Sequence, residues 1–291
     1  MEVRTEGVAV ALGGAQILRG IDLDVHSGEL VGILGPNGSG KSTLLKCIYR
    51  VLRPTGGAVY LDGKDLDGYS HKQSARRVAV VAQHNHCEFA FTVEDMVLMG
   101  RAPYKRALDR DRPEDMELVD AALEQVGMSR FRDRDFSTLS GGEQQRVVLA
   151  RALVQQTPCV IMDEPTNHLD IKYQLQLMDL VRGLDKTVIA AIHDLNIAAM
   201  YCDRIYMVKD GQVVASGRPE EVLTEETIGR IYEVEAEVCR DSRGALRVLY
   251  HPGGGSGRLT KQKKSTIMSL EQSKQIRGGE VGCDPLASPL L

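Results

Sequence analysis

Apolar Ile21, Leu23 and Val25 alternate with polar Asp22, Asp24 and His26, the period of a strand with one buried face. The first 27 residues read as β structure. Glu29–Leu34 (ELVGIL) is a short apolar run that ends in a glycine-rich loop, and Ser42–Tyr49 then reads as a helix, giving a strand–loop–helix unit. Further strands are expected at Gly57–Leu61, which turns at Asp62-Gly63, and at Val78–Ala82. From Thr92 to Gln156 the pattern becomes helical, with Met116, Val119, Leu123 and Val126 on one face and Gly127 as the stop.

Strands at Cys159–Met162, Thr187–Ile192 and Ile205–Val208 then alternate with helices at Ile171–Leu184 and Asp194–Tyr201. Such alternation implies an α/β fold with a mainly parallel sheet covered on both faces. Arg204–Ala215 reads as a hairpin around Asp210-Gly211, Pro219–Leu223 and Glu225–Tyr232 as short helices, and Val234–Cys239 with Ala245–Tyr250 as a last β pair. After Pro252 the periodicity ends. Gly253–Gly257 resembles a flexible linker, and the remainder carries six basic residues against three acidic ones. Residues 253–291 therefore read as a disordered tail.

Composition changes this picture little. The chain has 291 residues, 43% hydrophobic and 26% charged, as expected of a globular protein with a sizeable core. A net charge of −4 gives no reason to expect nucleic acid as a partner. No run approaches the roughly 18 apolar residues that span a bilayer, and no signal peptide opens the chain. A self-contained membrane channel is thereby excluded. Cys47, Cys87, Cys159, Cys202, Cys239 and Cys283 lack paired spacing, which suggests reduced thiols rather than a disulfide framework or a zinc site.

The chemistry lies in three segments. Gly35-Pro36-Asn37-Gly38-Ser39-Gly40-Lys41-Ser42 fits the P-loop pattern between a strand and a helix. Its backbone N–H groups can converge on phosphates at a helix N-terminus. Lys41 can reach the β- and γ-phosphates, Ser42 can ligate Mg2+, and Thr43 adds a hydroxyl. The bound ligand is expected to be a nucleoside triphosphate. The strand Cys159–Met162 ends in Asp163 and Glu164: the first suits the magnesium shell, and the second suits a general base that polarises water. Leu139-Ser140-Gly141-Gly142-Glu143 opens a helix and offers a second anion site.

With this last segment the chain closely resembles the ABC-transporter ATPase family, whose signature is LSGGQ. The resemblance covers roughly residues 2–250. It implies a P-loop NTPase (RecA-like) core with an N-terminal antiparallel β subdomain and an inserted helical subdomain at about 84–157, all within a nucleotide-binding domain of residues 1–252. It also implies that Ser140, Gly141, Gly142 and Glu143 cover the γ-phosphate held by another subunit. Gln83 matches the Q-loop glutamine at the Mg2+ site, Asp170 of Asn167-His168-Leu169-Asp170 the D-loop, and His193 the switch histidine. The family usually stacks adenine on an aromatic residue near where Leu12 stands. Glu143 replaces the commoner Gln, as it often does in iron-chelate importers.

The family pattern implies a homodimer sandwiching two ATP molecules. It also implies integral-membrane permease subunits, an extracytoplasmic solute-binding protein acting indirectly, and a peripheral place on the cytoplasmic face of the membrane. Gln83-His84, Thr92–Tyr104 and His193–Cys202 resemble importers of ferric siderophores, haem and cobalamin. An importer of zinc or manganese is a nearer alternative than a soluble ABC ATPase, which would need tandem cassettes or long arms. A P-loop kinase or GTPase would not need LSGGE, and NKxD is missing. His84-Asn85-His86-Cys87-Glu88 has short metal-ligand spacing, but reads as a solvated loop, so no metal beyond Mg2+ is expected.

Overall fold

The computed structural model describes residues 1–82, 90–106, 109–167 and 169–252. Strands β1 (Val3–Leu12) and β2 (Ala15–Val25) form an antiparallel hairpin, followed by β3 (Leu30–Leu34) and helix α1 (Lys41–Ile48). Next come β4 (Gly56–Leu61), β5 (Lys64–Asp65), α2 (His71–Ala75) and β6 (Val78–Val81). Three helices follow: α3 (Val93–Leu98), α4 (Pro113–Gln125) and α5 (Gly141–Val154). The chain then runs through β7 (Cys159–Asp163), α6 (Ile171–Arg182), β8 (Thr187–Ala191), α7 (Leu195–Tyr201) and the hairpin β9 (Arg204–Lys209)–β10 (Gln212–Gly217). Helices α8 (Pro219–Val222) and α9 (Glu225–Tyr232) lead to a closing hairpin, β11 (Glu235–Arg240) with β12 (Leu246–His251).

The central sheet has the order β10-β9-β3-β8-β7-β6 and is parallel except at β10. β3, β7 and β8 are buried along their whole length, which is why they read as unbroken apolar runs. Their side chains still alternate between the two faces. Leu30 and Leu34 belong to the core shared with α3, α4 and α5, whereas Val31 and Ile33 face the core built with α1 and the hairpin β1–β2. The second sheet, β2-β1-β4-β5, is wholly antiparallel. Ile21, Leu23 and Val25 are all buried in it and Asp22, Asp24 and His26 exposed, as their alternation predicts.

One turn joins the sheets to the glycine loop. The N–H of Gly211, between β9 and β10, donates to the Ser39 carbonyl (3.1 Å), and the Gly211 carbonyl accepts from the Arg19 N–H in β2 (2.8 Å). Close approach leaves no room for a side chain: a Cβ at Gly211 would lie 2.2 Å from the Ile17 carbonyl oxygen.

Candidate active site

Sheet order explains how residues far apart in sequence converge. β3, β8 and β7 are neighbours, all parallel, so their C-terminal ends open on the same edge. β3 delivers the glycine loop, β7 delivers Asp163 and Glu164, and β8 delivers His193, two residues beyond its end. Ligands of open α/β sheets bind at such an edge.

Gly35 starts the loop with φ +150°, and a Cβ there would lie 2.0 Å from the Val208 carbonyl oxygen. Pro36 is half-buried, Asn37 and Gly38 form the exposed tip, and Ser39 and Gly40 return into the core. Gly40 has φ +105° and packs on Leu18. Lys41 is buried and crosses beneath the loop, where Nζ donates to the carbonyls of Gly35 (2.8 Å) and Pro36 (3.0 Å). Burial lowers the pKa of its ammonium, opposed by the charges of Glu164 and Asp163. The ammonium therefore sits among acceptors that a phosphate oxygen could replace. The Ser39 hydroxyl is buried and has no hydrogen-bond partner among the described residues, an orphan that an anion in the loop would satisfy.

The Ser42 hydroxyl donates to Asp163 Oδ1 at 2.9 Å, and Thr43 is half-buried one residue further along α1. Burial pushes the Asp163 carboxyl up. The Ser42 hydrogen bond works against burial, Glu164 reinforces it, and Lys46 and Lys41 oppose it. A hydroxyl and a carboxylate side by side are an all-oxygen donor pair, the chemistry that suits Mg2+.

Glu164 lies just past β7 with φ 54°, and its N–H donates to the Ala191 carbonyl (3.2 Å). Its carboxylate meets His193 Nε2 through Oε1 at 2.5 Å and accepts from the Asn167 amide through Oε2. Sequence order places Glu164 and His193 on neighbouring strands, but the Asn167 contact has no such signal. Its clue is local: an amide three residues after Glu164, within reach across one tight turn.

Ser140 caps α5, and its hydroxyl and N–H both donate to Glu143 Oε2 (2.7 and 2.9 Å). These hydrogen bonds hold the Glu143 carboxyl below its usual range. Ser140 and Gly141 are exposed. Gly142 is buried, and a Cβ there would lie 2.9 Å from the Tyr173 ring of α6. Asp170, at the start of α6, has an exposed side chain. Ser140, Gly141 and Asp170 thus form an exposed edge. Leu12, at the tip of the β1–β2 hairpin, is 48% exposed. Gln83 and the His84–Glu88 segment lie outside the described residues, as do His168 and the tail from residue 253. Among the described residues no His, Cys, Asp and Glu group has the arrangement of a further metal site.

Residues 18–167 match the ABC transporter family. The chain belongs to this family. Its relatives include the hemin import ATP-binding protein HmuV of Rhodopseudomonas palustris, 44% identical over 260 residues that cover 86% of this chain and 96% of that protein. The cobalamin import ATP-binding protein BtuD of Halobacterium salinarum is 38% identical over 295 residues, covering 100% of this chain and 71% of the relative. Among solved structures, a dimeric ATP-binding cassette in a post-hydrolysis state, bound to ADP and Pi, superimposes with a TM-score of 0.65. It is 30% identical and covers 75% of this chain and 98% of that one. This is an ABC ATPase, an importer's ATP-binding subunit that hydrolyses ATP to power transport. No helix among the described residues is long and apolar enough to cross a membrane, and importer subunits of this kind work with membrane permease subunits.

Proposed function

We propose that this chain energises uptake of an iron complex, a ferric siderophore or haem, as a homodimer bound to permease subunits on the cytoplasmic face of the membrane. The observation that carries the cargo is the hemin-import relative, matched over nearly its whole length. The cobalamin-import relative supports a second reading, in which the cargo is cobalamin. An extracytoplasmic solute-binding protein would deliver the cargo to the permease. Residues 1–252 act as the nucleotide-binding domain, with α3–α5 in its helical insert at about 84–157.

In this reading Gly35–Thr43 wrap the ATP phosphates, and Lys41 exchanges its carbonyl partners for phosphate oxygens. Ser42 and Asp163, with Gln83, hold Mg2+, which draws charge from the phosphates when bound. Glu164 takes the proton of the attacking water at one carboxylate oxygen, and His193 orients the carboxylate and reaches the γ-phosphate. Ser140–Glu143 and Asp170 of the second subunit complete the site, which the exposure of that edge leaves open for a partner. ATP bridges the subunits, and its hydrolysis releases them.

The permease contact falls on a groove of about 720 Å3 between the end of α1, α2, β6 and α5, lined by Tyr49, Val51, Val80, Met99 and Pro103. It lies beside Ala82, directly before Gln83. The test is reconstitution with the permease and binding protein in proteoliposomes. Haem uptake should follow ATP, and Glu164→Gln should reduce hydrolysis and uptake at least 100-fold (about 3 kcal/mol of barrier) while ATP-dependent dimerisation persists. Cobalamin uptake without haem uptake would select the second reading, and a fully active Glu164→Gln would refute the base.

A further inference from the structure

The segment after Glu164 is anchored on one side and reaches the carboxylate on the other. Gln174 of α6 donates through Nε2 to the carbonyls of Thr166 (3.1 Å) and Leu169 (2.9 Å). The backbone on either side of Asn167 is therefore fixed by a side chain of α6. From that anchored backbone the Asn167 N–H donates to the Glu164 carbonyl (3.3 Å), and its side-chain amide donates to Glu164 Oε2. His193 Nε2 stands at Oε1, 2.5 Å away.

A neighbour at each oxygen has a definite consequence. The last torsion of a Glu side chain is broad, so a carboxylate held at one oxygen can still turn. Held at both, it points in one direction. Only the NH2 end of Asn167 can serve here, because a carboxylate donates nothing. Glu164 also has left-handed backbone, a conformation that surrounding contacts must hold in a non-glycine residue.

We infer that Asn167 is a positioning residue for Glu164. The inference rests on the reading of Glu164 as general base.

The experiment uses the full chain with Asn167→Ala and Asn167→Asp. Removing a hydrogen bond to a charged group should lower kcat by about 10- to 30-fold, with KM for ATP within about twofold and ATP-dependent dimerisation retained. Asn167→Asp has the same shape and opposite chemistry. It should lose more than Asn167→Ala, because a second carboxylate facing Glu164 repels it where the amide had donated. Wild-type kcat in Asn167→Ala, or an Asp variant no slower than Ala, would overturn the inference. Glu164→Gln separates the two levels. If it turns over normally the base reading falls, and if it is inactive while Asn167→Ala is normal only the positioning role falls.

Discussion

At Gly35 one methyl group decides whether the glycine loop can form. A Cβ there would sit 2.0 Å from the Val208 carbonyl oxygen, at φ +150°, and backbone in a central strand cannot retreat. Gly35→Ala should therefore weaken ATP binding at least roughly 100-fold, as strain of about 3 kcal/mol or more would require, checked by calorimetric titration. A glycine at this point was legible as part of the phosphate-loop pattern, and so were Lys41, Ser42, Asp163 and Glu164, because chemistry demands those types beside a strand end. The clash with Val208 was not legible, since it joins residues more than 170 positions apart. In the sequence Ser39 is one residue of the loop pattern, and its buried, unpartnered hydroxyl emerges only from packing.

At the scale of elements, the buried strands were the most readable because both faces are apolar, and the acids Asp163 and Glu164 punctuate one of them. Helix α2 was missed although Ser70 and Gln73 form a capping box at its start, with the Ser70 N–H donating to Gln73 Oε1 (2.8 Å). Five residues give too little periodicity to see. The joint between α4 and the segment before it was equally hidden. Arg101 Nε donates to Asp115 Oδ1 at 2.8 Å with both side chains buried, and the same guanidinium donates to the Val154 carbonyl of α5 (3.0 Å).

Burial alone would raise the Asp115 carboxyl. Hydrogen bonds from the Arg101 side chain and the Arg112 backbone, with the charges of Lys105 and Arg101, hold it below its usual value instead. A depressed carboxyl contributes stability that is fully present above the unfolded value near ~3.9 and is lost as pH falls through the folded one. Asp115→Asn should thus cost about 3 kcal/mol at neutral pH by leaving Arg101 unpaired. The gap to wild type in urea unfolding should narrow below about pH 4.

For the whole molecule, the proposed permease contact is the feature that turns an ATPase into part of a pump. Val51 is 72% exposed in the groove, so a charge there hardly disturbs folding but opposes burial of an apolar partner. Val51→Glu should leave the hydrolysis of the free subunit unchanged and reduce co-purification with the permease at least about 10-fold, equivalent to ~1.4 kcal/mol. The turn at Gly211 carries a consequence of another kind. Because it hydrogen-bonds both to β2 and to the glycine loop, the antiparallel sheet cannot peel away without dismantling the place where phosphate would sit. The two sheets and the nucleotide are then one cooperative unit, and ligand binding stabilises both sheets against unfolding rather than a single lobe.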